Sequence, residues 1–232
     1  ARGKKRVDLG EAVLVGVILA LALLTKSTAF IYAPPLIISG FWFWRRTAGA
    51  QPSFRSSLVS ALVCLVLVSP FYYRNMARYG TPLGIHRAED GGQQANAAIT
   101  PALVASNAVR NLSKHLAGPW EGWNEMLYRG TAQVHRWMGL SLEDPRNTLW
   151  NLKFSVDYQP RDETQSGAPF VVIAMMLAIL MSLVSPRTRD GRWFALTLCS
   201  MALLYCVVIK WQPWGARLQL PMFVLGVRCS SE

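Results

Sequence analysis

Charge is what this sequence has least of. Only 16% of its 232 residues are charged, against roughly 25% in an average globular protein. A water-soluble helical protein shows charged faces alternating with apolar stripes; here the apolar residues come in long blocks instead. Cysteine is also sparse. Cys64, Cys199, Cys206 and Cys229 lie in or beside apolar blocks, at no metal-ligand spacing, so a disulfide framework and a cysteine metal site are both excluded. His86, His115 and His135 are too far apart in sequence to suggest a metal centre. A phosphate-binding P-loop, a glycine-rich dinucleotide fingerprint and a serine nucleophile elbow are all missing, which removes the common soluble nucleotide-binding and hydrolase classes.

What is present is hydrocarbon-matching sequence. Apolar blocks run over 12–24, 29–44, 56–73, 168–185 and 193–209, and a sixth starts at 218 and fades near 227. A bilayer core of about 30 Å needs about 20 helical residues at 1.5 Å each. The expected fold class is therefore an all-α membrane protein: a polytopic transmembrane helix bundle with an external loop of amphipathic interfacial helices. Its expected organisation is 1–73 transmembrane, 74–167 external, and 168–232 transmembrane with the last helix cut short. The chain is expected to begin mid-protein, because Thr25-Lys-Ser-Thr28 is no signal-peptide cleavage site.

The net charge of +11 first suggests nucleic acid, but its distribution points elsewhere. With the N-terminus in the cytoplasm, the short inner segments hold Arg2, Lys4, Lys5, Arg6, Arg45, Arg46, Arg55, Arg187, Arg189 and Arg192, and only Asp8, Glu11 and Asp190 oppose them. The long loop is nearly balanced in charge. This is the positive-inside pattern of a multi-pass membrane protein, and nucleic acid is excluded as a partner. Trp42, Trp44, Trp193, Trp211 and Trp214 sit at block ends, the interface positions an indole prefers. The expected location is a bacterial inner membrane with residues 74–167 in the periplasm.

Within that loop, Pro101–Ala117 repeats apolar residues at Ala105, Val109, Leu112 and Leu116, with Arg110 and Lys114 flanking the stripe. Trp120–Leu142 places Trp123, Leu127, Val134 and Trp137 on roughly one face. Both segments read as amphipathic helices on the outer membrane surface, with a small soluble domain as the competing reading.

Four segments carry polar chemistry. Lys210-Trp-Gln-Pro-Trp-Gly-Ala-Arg-Leu-Gln-Leu-Pro221 joins the last two blocks on the outer face. Arg217 there is either a bidentate phosphate grip or a snorkelling interface arginine, and the residues alone leave both open; Gln212 is a candidate substrate contact. Lys26, in the first outer turn, is either a phosphate contact or an anchor. Arg74 and Arg78 share a helix face where the third block leaves the membrane. Asp162 and Glu163 can hold a divalent metal ion or a sugar hydroxyl, and a solvated turn explains them as well. Beyond that ion, no cofactor is expected.

Leu-Ala-Leu-Leu-Thr-Lys-Ser-Thr-Ala29 followed by Pro34-Pro35, Pro70-Phe-Tyr-Tyr-Arg-Asn75 with Tyr79-Gly-Thr-Pro82, and Trp211-Gln-Pro-Trp214 with Arg217-Leu-Gln-Leu-Pro221 occur in one order across most of the chain. Together they resemble the GT-C superfamily of membrane glycosyltransferases, the dolichyl-phosphate-mannose–protein mannosyltransferase-like group and the bacterial aminoarabinose transferases. The resemblance implies a transferase that takes a sugar from a polyprenyl-phosphate donor at the outer face, with membrane lipids as its surroundings. It implies Lys26, Arg74 and Arg217 as contacts to the lipid phosphate. The acidic catalytic residue of such enzymes lies in an upstream loop that this chain does not contain. The alternatives are a transporter or flippase of lipid-linked intermediates and a non-catalytic membrane assembly protein.

Overall fold

The computed structural model describes residues 8–47, 54–82, 94–159, 167–184 and 189–229, without side chains at 43–47, 189 and 227–229. Asp162, Glu163, His86 and Arg187 lie outside the described residues. The regular elements among them are all helices, with no strand: α1 (Leu9–Thr25), α2 (Ala29–Thr47), α3 (Phe54–Tyr79), α4 (Pro101–Leu116), α5 (Glu121–Met138), a 3-10 turn at Leu149–Asn151, α6 (Pro169–Val184), α7 (Arg189–Val208) and α8 (Ala216–Cys229). Every expected block became a helix, and the two loop helices fall where the periodicity puts them.

Two of these helices, α3 and α7, are long and apolar enough to cross a membrane. In their most apolar windows only 11% and 33% of residues are buried. A soluble protein's buried core helix meets the same test of length and composition; these two helices are mostly exposed. Leu62, Leu65 and Val66 on α3 are at least half exposed. The helices α1 and α6 are apolar but shorter, as is the 29–42 stretch of α2.

The chain divides into two compact units, Ala1–His86 and Arg87–Glu232. In the first, α1 and α3 pack side by side and parallel: Ser60 Oγ donates to the Ala12 carbonyl at 2.7 Å and Tyr72 Oη to the Leu23 carbonyl at 3.3 Å. The seam on α1 is Ala12, Gly16 and Ala20, small residues one helical turn apart and buried. They let the backbones approach closely, which is how apolar helices associate where burial from water offers no drive. At its far end α3 stops at Gly80, which takes the left-handed conformation (φ 71°) suited to a helix end. Asn75, buried, donates to the Pro82 carbonyl at 3.0 Å and folds the following turn back.

In the second unit α4 starts on Thr100, whose hydroxyl accepts from Leu103 N–H, with Pro101 in the first turn. The helix α5 ends at Gly139 (φ 65°). The helix α4 packs on α6, α7 and α8, and α5 packs on α4.

Candidate functional site: the polar junction at the end of α7

An α-helix ends with four carbonyls that lack intrahelical donors. At the end of α7 all of them are met. Ile209 N–H takes the Tyr205 carbonyl at 2.9 Å. Asn96 Nδ2 donates to the Cys206 and Val207 carbonyls at 3.0 and 2.8 Å, and Asn96 N–H donates to Val208 at 2.8 Å. Asn107 Nδ2, from α4, adds bonds to the Cys206 and Ile209 carbonyls at 2.9 Å each. The loop region is therefore bonded to the tip of an apolar helix and does not hang from it.

Beside this cap sits Arg110, fully buried. Nη1 donates to the Leu142 carbonyl and to Thr148 Oγ1, both at 2.7 Å. Nη2 donates to Asn107 Oδ1 at 3.1 Å and the Asn147 carbonyl at 3.2 Å, and Nε to the Ser106 carbonyl at 3.4 Å. A guanidinium has five N–H donors, so each finds an acceptor. Its face lies 5.4 Å from the Trp211 ring centre, a cation–π contact. Burial pulls its pKa down to about 10 against the opposing fields of Asp144 and Glu143, so it stays a cation at neutral pH.

Arg110 and Lys114 thus depart from the expectation that they flank an apolar stripe. Both are buried, with Ser106, Asn107, Asn111 and Ser113, and Lys114 Nζ donates to the Asp157 carbonyl at 3.2 Å. On the other face Ala105 and Leu112 are exposed, and Val109 and Leu116 are half-buried. The physical reason is donor demand: α7's carbonyls and the 142–148 loop need N–H groups, which α4's amides and guanidinium supply. The tryptophans show the converse. Trp120, Trp123, Trp137 and Trp150 are all exposed, while Trp211 is buried against Ala117, Phe154 and Val156 in a small apolar core.

Two histidines belong to the network. His135 Nδ1 donates to the Thr131 carbonyl at 2.8 Å, because a carbonyl only accepts; its Nε2 then accepts from Ser106 Oγ at 2.8 Å. His115 Nε2 donates to Gln219 Oε1 at 3.0 Å, Gln219 Nε2 to Asn111 Oδ1 at 2.9 Å, and Asn111 Nδ2 to the Asn107 carbonyl at 2.8 Å. This relay ties α8 to α4. Burial lowers the pKa of both histidines, so each is neutral at pH 7. Below the relay an apolar cavity of about 240 Å³ opens among α4, α6, α7 and α8, lined by residues such as Leu112, Val172, Met176, Leu203 and Phe223.

The candidate site residues divide between the units. Lys26 caps α1 and is exposed; Arg74 is exposed on α3 with its guanidinium 5.7 Å from the Phe71 ring. The Tyr72–Leu23 bond puts both at the same end of the first unit. Arg217 belongs to the second unit. It is exposed on the first turn of α8, on the face it shares with Leu220 and Val224 and away from the cavity-lining Gln219, Met222 and Phe223. Gln212 is buried, and its Nε2 has no hydrogen-bond partner among the described residues. Among those residues no three metal-ligating side chains cluster.

Sequence reasoning put Arg110 on the flank of a surface helix and missed Asn107, Asn96 and Asn147. A signal existed: α4's polar stripe is mostly Asn and Ser, with Arg110, Lys114 and His115, and carries no acidic residue. No family model, no curated protein and no solved structure matches this chain.

Proposed function

We propose that this chain is part of an integral membrane glycosyltransferase that moves a sugar from a polyprenyl-phosphate donor at the outer membrane face. The observation that carries the reading is Arg217. It is an exposed cation with no ion-pair partner among the described residues, on the first turn of an apolar helix. There its charge adds to the positive end of the helix dipole, a setting that favours an anion. A phosphate leaving group gains negative charge as its bond to the sugar breaks, and a guanidinium placed at the bilayer surface stabilises that charge.

Three further features support it. The second unit buries Ser106, Asn107, Arg110 and Asn147 while Trp120, Trp123, Trp137 and Trp150 are exposed, an arrangement that a lipid boundary favours. Its apolar cavity offers hydrocarbon-like surroundings beneath the polar relay. The 56–73 stretch of α3 and the 193–208 stretch of α7 contain no charged residue, whereas a transporter places charges within its spans to carry polar cargo.

Sugar transfer by the full-length protein tests the reading. Arg217→Ala lowers turnover about 100-fold, the scale of losing one transition-state charge contact, and Arg129→Ala, on an exposed face of α5, leaves it unchanged. Equal effects of the two substitutions remove the phosphate role.

A further inference from the structure

Trp150 and Asn151 are consecutive non-glycine residues in the left-handed region, at φ 52° and 53°. Asparagine tolerates that region; for a bulky indole residue it is an outlier with a conformational cost. Such strain persists only where the surroundings impose it, and here they do. Leu149 is fully buried. Its N–H donates to the Trp211 carbonyl at 3.0 Å, Trp211 N–H donates to the Asn147 carbonyl at 2.8 Å, and Leu152 N–H returns to the Leu149 carbonyl at 3.1 Å. The 3-10 turn is pinned to Trp211 just before the strained pair, and the Leu152–Leu149 bond closes the turn across it.

What the strain achieves is the placement of one side chain. Trp150 is 51% exposed, and its ring centre lies 5.9 Å from that of Trp214, with the planes at 52°. Two indoles at that angle form an open wedge. Exposed polar residues stand beside it in the chain: Asn151 and Lys153 after Trp150, Arg217 three residues after Trp214. Membrane anchoring does not account for the geometry. An anchoring indole works in any rotamer, and the other exposed loop tryptophans, Trp120, Trp123 and Trp137, stand on ordinary backbone.

We infer that Trp150 and Trp214 form a platform for a saccharide, against which a pyranose ring of the acceptor packs. A pyranose presents a patch of polarised C–H bonds on its face and hydroxyls around its edge. The negative face of an indole attracts such C–H groups, and the polar neighbours suit the hydroxyls. The inference rests on the glycosyltransferase reading and adds a chemical class for the acceptor, a glycan.

The test uses the full chain in nanodiscs with two neutral probes, methyl β-glucopyranoside and methyl N-acetyl-β-glucosaminide, read by saturation-transfer NMR. At least one probe receives saturation at its ring C–H protons. That signal falls at least five-fold in Trp150→Ala and in Trp214→Ala and is unchanged in Trp137→Ala. Hydrogen-exchange protection of the Leu149 and Trp211 amides verifies that each variant is folded, and Trp150→Phe, which keeps an aromatic face, retains part of the signal. No transfer to either probe, or an equal loss in all three alanine variants, overturns the platform. Binding of polyprenyl phosphate to the same preparation separates the two readings: if the lipid binds and Arg217→Ala weakens it while the glycosides give no signal, the platform alone falls.

Discussion

Replacing Arg110 by alanine removes the hub of the second unit. Three acceptors lose the donor described for them: the Leu142 carbonyl, Thr148 Oγ1 and Asn107 Oδ1. The Asn147 carbonyl keeps the bond from Trp211 N–H, and the Ser106 carbonyl keeps its place in the helix ladder. A buried acceptor left unmet costs about 1–3 kcal/mol, and the lost cation–π contact adds about 1 kcal/mol. The sum is about 4 kcal/mol at the lower end, close to three powers of ten in the opening equilibrium, since 1.4 kcal/mol is tenfold. Hydrogen exchange read by mass spectrometry on the chain in nanodiscs is the assay. Peptides covering 142–149 and 209–211 should exchange about 1,000-fold faster in Arg110→Ala, with α3 unchanged. In Arg129→Ala, which breaks an exposed 2.6 Å pair with Glu125, the change should stay below about threefold, because such pairs contribute at most about 0.5 kcal/mol. Equal protection in the two variants would refute the claim that Arg110 organises the junction.

Acid should weaken the same unit. His115 and His135 have folded pKa values depressed by burial, so below about pH 6.5 the unfolded chain binds protons that the folded chain refuses. Stability is then full above that pH and lost as pH falls; a melting temperature that is flat or rises from pH 7.5 to 5.5 contradicts this, and His135→Asn should flatten the decline. Gly16→Ala should loosen the α1–α3 seam by about 1–3 kcal/mol, since a Cβ would lie 2.6 Å from the Ser60 carbonyl oxygen; Gly40→Ala, with nothing within 4 Å, should be neutral or stabilising in thermal unfolding. Single cysteines at Ser141 and Asp190 in a cysteine-free background should label from outside and inside the cell respectively, and the reverse pattern would overturn the topology.

The helices were legible in the sequence because hydrocarbon-length apolar runs and 3.6-residue stripes are local signals. The first loop helix starts at Pro101 as expected, whereas the second stops at Gly139, short of the expected Leu142, because Gly139 takes the left-handed conformation. The junction was not legible, since it depends on which long-range acceptors α4 would find. Asn107 and Asn96 meet α7 about a hundred residues later in the chain, and nothing local distinguishes a capping amide from a solvated one. The Arg-Asn and Gly-x-Pro elements that carried the family resemblance turn out to have a structural task as well: Asn75 fastens the turn at Pro82, and Gly80 ends α3. Of the candidate phosphate contacts, Arg74 has an aromatic neighbour that accounts for part of its placement, whereas Arg217 has no such contact among the described residues.

Binding of a polyprenyl phosphate to the chain in nanodiscs, measured for the native sequence, Arg217→Ala and Arg129→Ala, tests the central claim most directly. The account predicts saturable binding that Arg217→Ala weakens about tenfold or more and Arg129→Ala leaves alone. Absent binding, or equal affinity in all three proteins, would contradict it.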